Sequence, residues 1–179
     1  EAKEMIRDLA AFGIPALLLS GGEPLIRPDF FELAQYARSL NLRLTISTNG
    51  TLITREMAQK IKETGFSYVG ISFDGLGDIN DKFRGKKGAF LAAREGLRHC
   101  QAVGQKVGLR FTLTRRNYES LDEIFDFIEQ EDIPRACFYH LVYSGRGSKI
   151  SEDDLTHEES RDALDVIMKR TKDFIARGL

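Results

Sequence analysis

Apolar residues along this chain follow two spacings in turn. AlaLeuLeuLeu at 16–19, LeuArgLeuThrIle at 42–46, TyrValGlyIleSerPhe at 68–73, ValGlyLeuArgPheThrLeu at 107–113 and AlaCysPheTyrHisLeuVal at 136–142 are short bounded runs, as buried strands require. Between them apolar positions recur three and four apart, which predicts helices at about 28–40, 54–64, 88–103 and 117–131, one ahead of the first strand and one at 156–177. Pro28 with Asp29, Thr54 with Glu56, and Asn117 ahead of Glu119 read as helix starts, and Gly13, Gly65 and Gly104 as helix ends. Strand centres near Leu18, Leu44, Ile71, Leu109 and Phe138 are spaced by the length of a strand plus a crossover helix. The alternation predicts an α/β fold with a parallel sheet and right-handed crossovers, doubly wound or curling towards a barrel. No linker divides it, and 144–154 reads as an exposed loop before the last helix.

Composition narrows the class. With 179 residues, 42% apolar and 30% charged, the chain fits one domain with its own core. A net charge of −1 offers no global basic field for nucleic acid or an anionic membrane. No apolar run approaches the roughly 20 residues of a membrane span, and the opening EAKEMIRDLAAFG lacks a secretory apolar core, so a cytoplasmic protein without nucleic-acid or membrane partners is expected. That opening already lies within a helical pattern, and the chain reads as a fragment. Cys100 and Cys137 match neither a disulfide framework nor a CxxC metal site, and both are expected in the core, Cys100 on a helical stripe and Cys137 in a strand.

In parallel α/β architectures ligands gather at the carboxyl ends of the strands, and the unusual residues gather there too. The first strand runs into SerGlyGlyGluPro at 20–24, the second into SerThrAsnGly at 47–50 and the third into SerPheAspGlyLeu at 72–76. The fourth carries Arg110 and exits through Arg115, Arg116 and Asn117; the fifth carries Tyr139 and His140 and exits through SerGlyArgGly at 144–147. Each has a plain alternative: Glu23 as a helix cap, Asn49-Gly50 and Asp74-Gly75 as ordinary turns, Arg115 and Arg116 as solvated, His140 as a satisfied core group. Successive strands ending in a polar residue and glycine nevertheless suit a cradle, because glycine lets backbone approach a ligand. No GxGxxG follows the first strand, no GxxxxGK[ST] or GxSxG is present, and the three histidines are scattered.

LeuSerGlyGlyGluPro, SerThrAsnGly, SerPheAspGly and LysPheArgGlyLysLysGlyAlaPhe at 82–90, in that order, resemble the radical S-adenosylmethionine (SAM) enzymes, over about residues 1–150. Within that superfamily the likeness is to the branch of molybdenum cofactor protein A, pyrroloquinoline quinone maturases and heme or heme d1 biosynthesis proteins. CysPheTyrHisLeuValTyrSerGlyArgGly most resembles the heme d1 and alternative heme proteins, and Leu18 stands where the molybdenum branch would place an arginine.

The resemblance implies a partial (β/α)6 TIM-like barrel of parallel strands with its first strand missing. It implies that Gly21, Gly22 and Glu23, with Pro24 closing the turn, bind the methionine ammonium of SAM. Thr48 and Asn49 would line the cavity, Ser72 with Asp74 or Arg110 would meet the SAM carboxylate or ribose, and Val142 would lie by the adenine. The family's [4Fe–4S] cluster sits on a CxxxCxxC segment that these residues lack. The expectation is therefore a parent enzyme that cleaves SAM reductively to a 5′-deoxyadenosyl radical and modifies a tetrapyrrole, using an electron donor such as flavodoxin or ferredoxin. The fragment itself is expected to be inactive, with no catalytic residue assigned, and either to self-associate through the exposed edge of the strand at 16–20 or to have another segment, the helix at 1–12 or the tail after Ile150, fold over that edge. Molybdenum cofactor or peptide-maturation chemistry, or a non-catalytic metabolite-binding module, are the alternatives.

Overall fold

In the computed structural model, which describes residues 1–142 and 150–178, every expected strand forms. The order is α1 (Ala2–Phe12), β1 (Ala16–Leu19), α2 (Phe30–Ser39), β2 (Arg43–Thr48), α3 (Arg55–Thr64), β3 (Tyr68–Phe73), α4 (Asp78–Arg84), α5 (Ala89–Ala102), β4 (Val107–Thr112), α6 (Leu121–Gln130), β5 (Ala136–Tyr139) and α7 (His157–Arg177). The five strands make one sheet in the order β1-β2-β3-β4-β5. Pairing is parallel, with Leu17 beside Leu44, Ile46 beside Val69 and Phe111 beside Phe138. The chain divides into two units, Glu1–Ser72 with Leu91–Gly108, and Phe73–Phe90 with Leu109–Leu179.

In the first unit β2 alternates as a one-face-buried strand does, with Leu44 and Ile46 fully buried and Arg43 exposed. Removing each of those aliphatic side chains from water stabilises the fold by about 2 kcal/mol. α3 starts where Thr54 accepts the Met57 N–H and ends at Gly65, whose φ of 84° is left-handed. α5 crosses the loop after β2 at Gly96, where any Cβ would collide with the Gly50 carbonyl oxygen. β1 lies at the sheet edge with Leu18 48% exposed.

In the second unit Phe73, Phe90 and Phe127 pack with ring centroids 5.4–5.9 Å apart. α6 buries Leu121, Ile124, Phe125, Phe127 and Ile128. α7 is laced to it by Arg170, bonded to Asp122 and Asp126, and by Arg177, bonded to Glu129. The N-terminus of α7 is a capping box between Thr156 and Glu159.

Four expectations are corrected. α4 was not foreseen. β5 stops at Tyr139 rather than running to 142, which leaves His140 exposed beyond it. Cys100 is buried in α5, but Cys137 is only half-buried because β5 is an edge strand whose four residues are all partly exposed. Asp29 and Asn117 stand ahead of helical turns without capping them through their side chains: the Asp29 carboxylate is taken by Arg27, and α6 starts only at Leu121, after a tight turn at Tyr118–Ser120. The loop segment Ser144, Gly145, Arg146 and Gly147 lies outside the described residues.

Candidate cofactor site

The first unit gathers Glu23, Thr48 and Asn49. β1 is followed, after Ser20, by Gly21, with φ 143°, and Gly22, and nothing lies within 4 Å of where a Cβ would sit on either. These two positions leave main chain uncovered by side chain. Glu23 then precedes a tight turn at Pro24–Ile26, and Pro24 is buried. The Glu23 Oε1 accepts the Leu25 N–H at 3.2 Å and the Thr48 hydroxyl at 2.7 Å, while Oε2 accepts the Asn49 N–H at 2.7 Å. The capping reading of Glu23 is thus met through the Leu25 N–H. Among the described residues its hydrogen-bond partners are all neutral, so none of them offsets the negative charge. The Asn49 side chain is turned to its own loop, its Oδ1 accepting from the Thr51 N–H and hydroxyl. Ser72 closes this unit, half-buried near the end of β3.

The second unit gathers Asp74, Asn80, Arg84 and Asn117. Asp74 is 4% exposed and ion-paired with Arg84. Its N–H donates to Asn80 Oδ1 at 3.0 Å, and its carbonyl accepts from Asn117 Nδ2 at 3.1 Å. Asn117 also accepts the Thr114 N–H and donates to the Thr112 carbonyl, so an expected helix cap is instead a tie between strand exits. Asp81 accepts backbone N–H groups from Phe90 and Gly88, which hold its carboxyl below the usual value. Arg84 belongs to the quoted LysPheArgGly stretch but carried no assigned role; its place ten residues after Asp74 gave no sign of the pair.

Arg110 lies over the Tyr139 ring at 4.5 Å from its centroid, and burial raises the Tyr139 hydroxyl. Arg115 is bonded to Glu159 and secures the start of α7, and Arg116 is paired with Asp153 in the turn before it. Val142 is 70% exposed. Among the described residues no group of three or more His, Cys, Asp or Glu side chains is placed to hold a metal. Burial pushes the Cys100 thiol up to about 12, the reverse of what a thiolate ligand needs.

The Radical SAM superfamily model matches residues 1–128, and the chain belongs to that superfamily. It is 58% identical over 178 residues to the Fe-coproporphyrin III synthase of Methanosarcina barkeri, across 99% of this chain and 45% of that protein. It is 46% identical over 170 residues to the pre-heme d1 synthase of Dinoroseobacter shibae, across 95% of this chain and 42% of that one. The chain therefore spans less than half the length of these relatives. A solved structure of native anSMEcpe with bound AdoMet superposes with a TM-score of 0.81 at 19% identity, over 99% of this chain and 52% of that chain. That likeness concerns the fold, and it agrees with the expected partial TIM-like barrel of parallel strands.

Proposed function

We propose that this chain supplies the SAM-holding part of an enzyme that modifies a tetrapyrrole. The observation that carries the proposal is the Glu23 carboxylate, fixed between two strand ends by neutral donors and flanked by side-chain-free backbone at Gly21 and Gly22. An ammonium group offers donors only and needs acceptors, which a carboxylate and bare carbonyls supply. Pro24 shapes the turn, Thr48 and Asn49 hold the carboxylate, and Ser72, Asp74, Arg110 and Val142 are proposed for the SAM carboxylate, ribose and adenine. For Asp74 that role runs through the turn it anchors, since its own carboxylate is buried against Arg84.

A [4Fe–4S] cluster, when bound in this superfamily, supplies the electron that cleaves SAM. The described residues do not fit one: Cys100 is buried, and neither it nor Cys137 belongs to a group of three or more His, Cys, Asp or Glu side chains placed to hold a metal. No step is therefore assigned to this chain through a cluster, and a flavodoxin- or ferredoxin-type donor would serve the whole protein. The tetrapyrrole assignment is supported by the 58% and 46% identity to proteins named as synthases in heme chemistry, against 38% to mycofactocin maturases. The test uses the full-length protein, anaerobically reconstituted. SAM affinity measured by calorimetry should fall about 10- to 100-fold in Glu23→Gln, the worth of a charge-assisted hydrogen bond. Tetrapyrrole carboxylic acids should stimulate release of 5′-deoxyadenosine; stimulation by peptides alone would move the enzyme to the maturase side of the superfamily.

A further inference from the structure

We infer that Thr48 is a positioning residue that aims the Glu23 carboxylate, an assignment that rests on the cofactor reading above. The buried face of β2 carries Leu44, Ile46 and Thr48 at two-residue spacing, with exposures of 0%, 0% and 3%. An aliphatic side chain would suit the third position as it does the first two. A hydroxyl buried there is costly unless both its donor and its acceptor capacity are used. Both are used: the hydroxyl accepts the Gly50 N–H at 3.0 Å and donates to Glu23 Oε1 at 2.7 Å.

The direction of that chain is forced. A backbone N–H can only donate, so the hydroxyl's single hydrogen is left for the carboxylate, and the two bonds polarise one another towards it. Oε1 then receives two donors, from Leu25 and Thr48, and both its lone-pair directions are taken. Among the described residues Oε2 receives one, from Asn49, which leaves it a further lone-pair direction. The terminal torsion of a glutamate is otherwise broad and nearly two-fold. Thr48 therefore selects which carboxylate oxygen meets an incoming cation without touching that cation itself.

The test is a double-mutant cycle in the full-length, reconstituted protein, with SAM titrated calorimetrically and thermal unfolding followed alongside. Thr48→Val should weaken SAM binding about tenfold in the wild-type background, the worth of roughly one hydrogen bond. Thr48→Ser should stay within about threefold, because it keeps both bonds. In a Glu23→Gln background Thr48→Val should add less than about twofold, since the group it aims is already altered. Equal weakening by Thr48→Val in both backgrounds would overturn the inference, and so would unchanged affinity in the wild-type background. Unchanged affinity in Glu23→Gln alone would instead remove the cofactor reading on which the inference stands. If Thr48→Val does not fold, Thr48→Ala removes the same hydroxyl and is judged by the same cycle.

Discussion

Two acidic residues follow strands here, and the protein treats them oppositely. Glu23, after β1, is half-buried and surrounded by neutral N–H and O–H groups. Asp74, after β3, is buried and paired with Arg84 while Asn80 and Asn117 hold its backbone. A carboxylate held only by neutral donors keeps its field available to a cation. A carboxylate paired with a guanidinium has spent that field internally, and its remaining role is to fix the turn. The sequence motif alone, a carboxylate beside glycine at a strand end, is the same kind in both places. The charge of the nearest neighbour separates them.

The largest test of this contrast is Arg84→Met. It takes the Arg84 guanidinium away from the buried Asp74 carboxylate and should destabilise the chain by about 3 kcal/mol in urea unfolding. Adding Asp74→Asn should recover much of that loss, because the buried charge that the guanidinium offset is gone. If Arg84→Met were neutral, the pair would not be a closed unit and the contrast would fail. Next in size is Glu23→Gln. Its folding cost should stay near 1 kcal/mol, the worth of an ordinary hydrogen bond, while SAM affinity falls as set out above. A folding cost as large as that of Arg84→Met would make Glu23 a structural anchor like Asp74.

The smallest effect concerns Asp81, a third carboxylate, held below its usual value of 3.8 by backbone donors from Phe90 and Gly88. Its folded value is depressed, so its contribution to stability is fully present above about pH 4 and is lost as pH falls through the folded value. Unfolding midpoints measured between pH 5 and 3 should slope downward with acid, and less so in Asp81→Asn.

Strands and the long helices were legible because their signals are local and repeated. β2 shows its buried column as Leu44, Ile46 and Thr48 at a spacing of two, and α3 announces itself through Thr54 and Gly65. α4 was not legible: it has seven residues, only Ile79 and Phe83 are apolar, and Ile79 is 40% exposed. The glycine-glycine-glutamate turn stood out in the sequence by its composition. What Glu23 binds did not, since Thr48 and Asn49 lie 25 and 26 positions away and reach it only through strand pairing. For the same reason Asp74-Gly75 could pass for an ordinary turn: nothing in the residues nearby announces that Arg84 pairs with it.

The crossing of α5 over the loop after β2 bears on how variants of this protein would be sorted. Gly96 has no room for a methyl group against the Gly50 carbonyl, and Gly50 itself has φ 75° with Ile71 2.7 Å from where its Cβ would stand. The same Gly50 carries the N–H that orients the Thr48 hydroxyl. Gly96→Ala would therefore shift main chain that Glu23 depends on, and a mutational scan scored by cofactor uptake would group it with the acidic residue of the cradle. Heat would tell the two apart. The overpacked helix should lower the melting point strongly along with uptake, whereas a change in the carboxylate alone should lower it by only a few degrees.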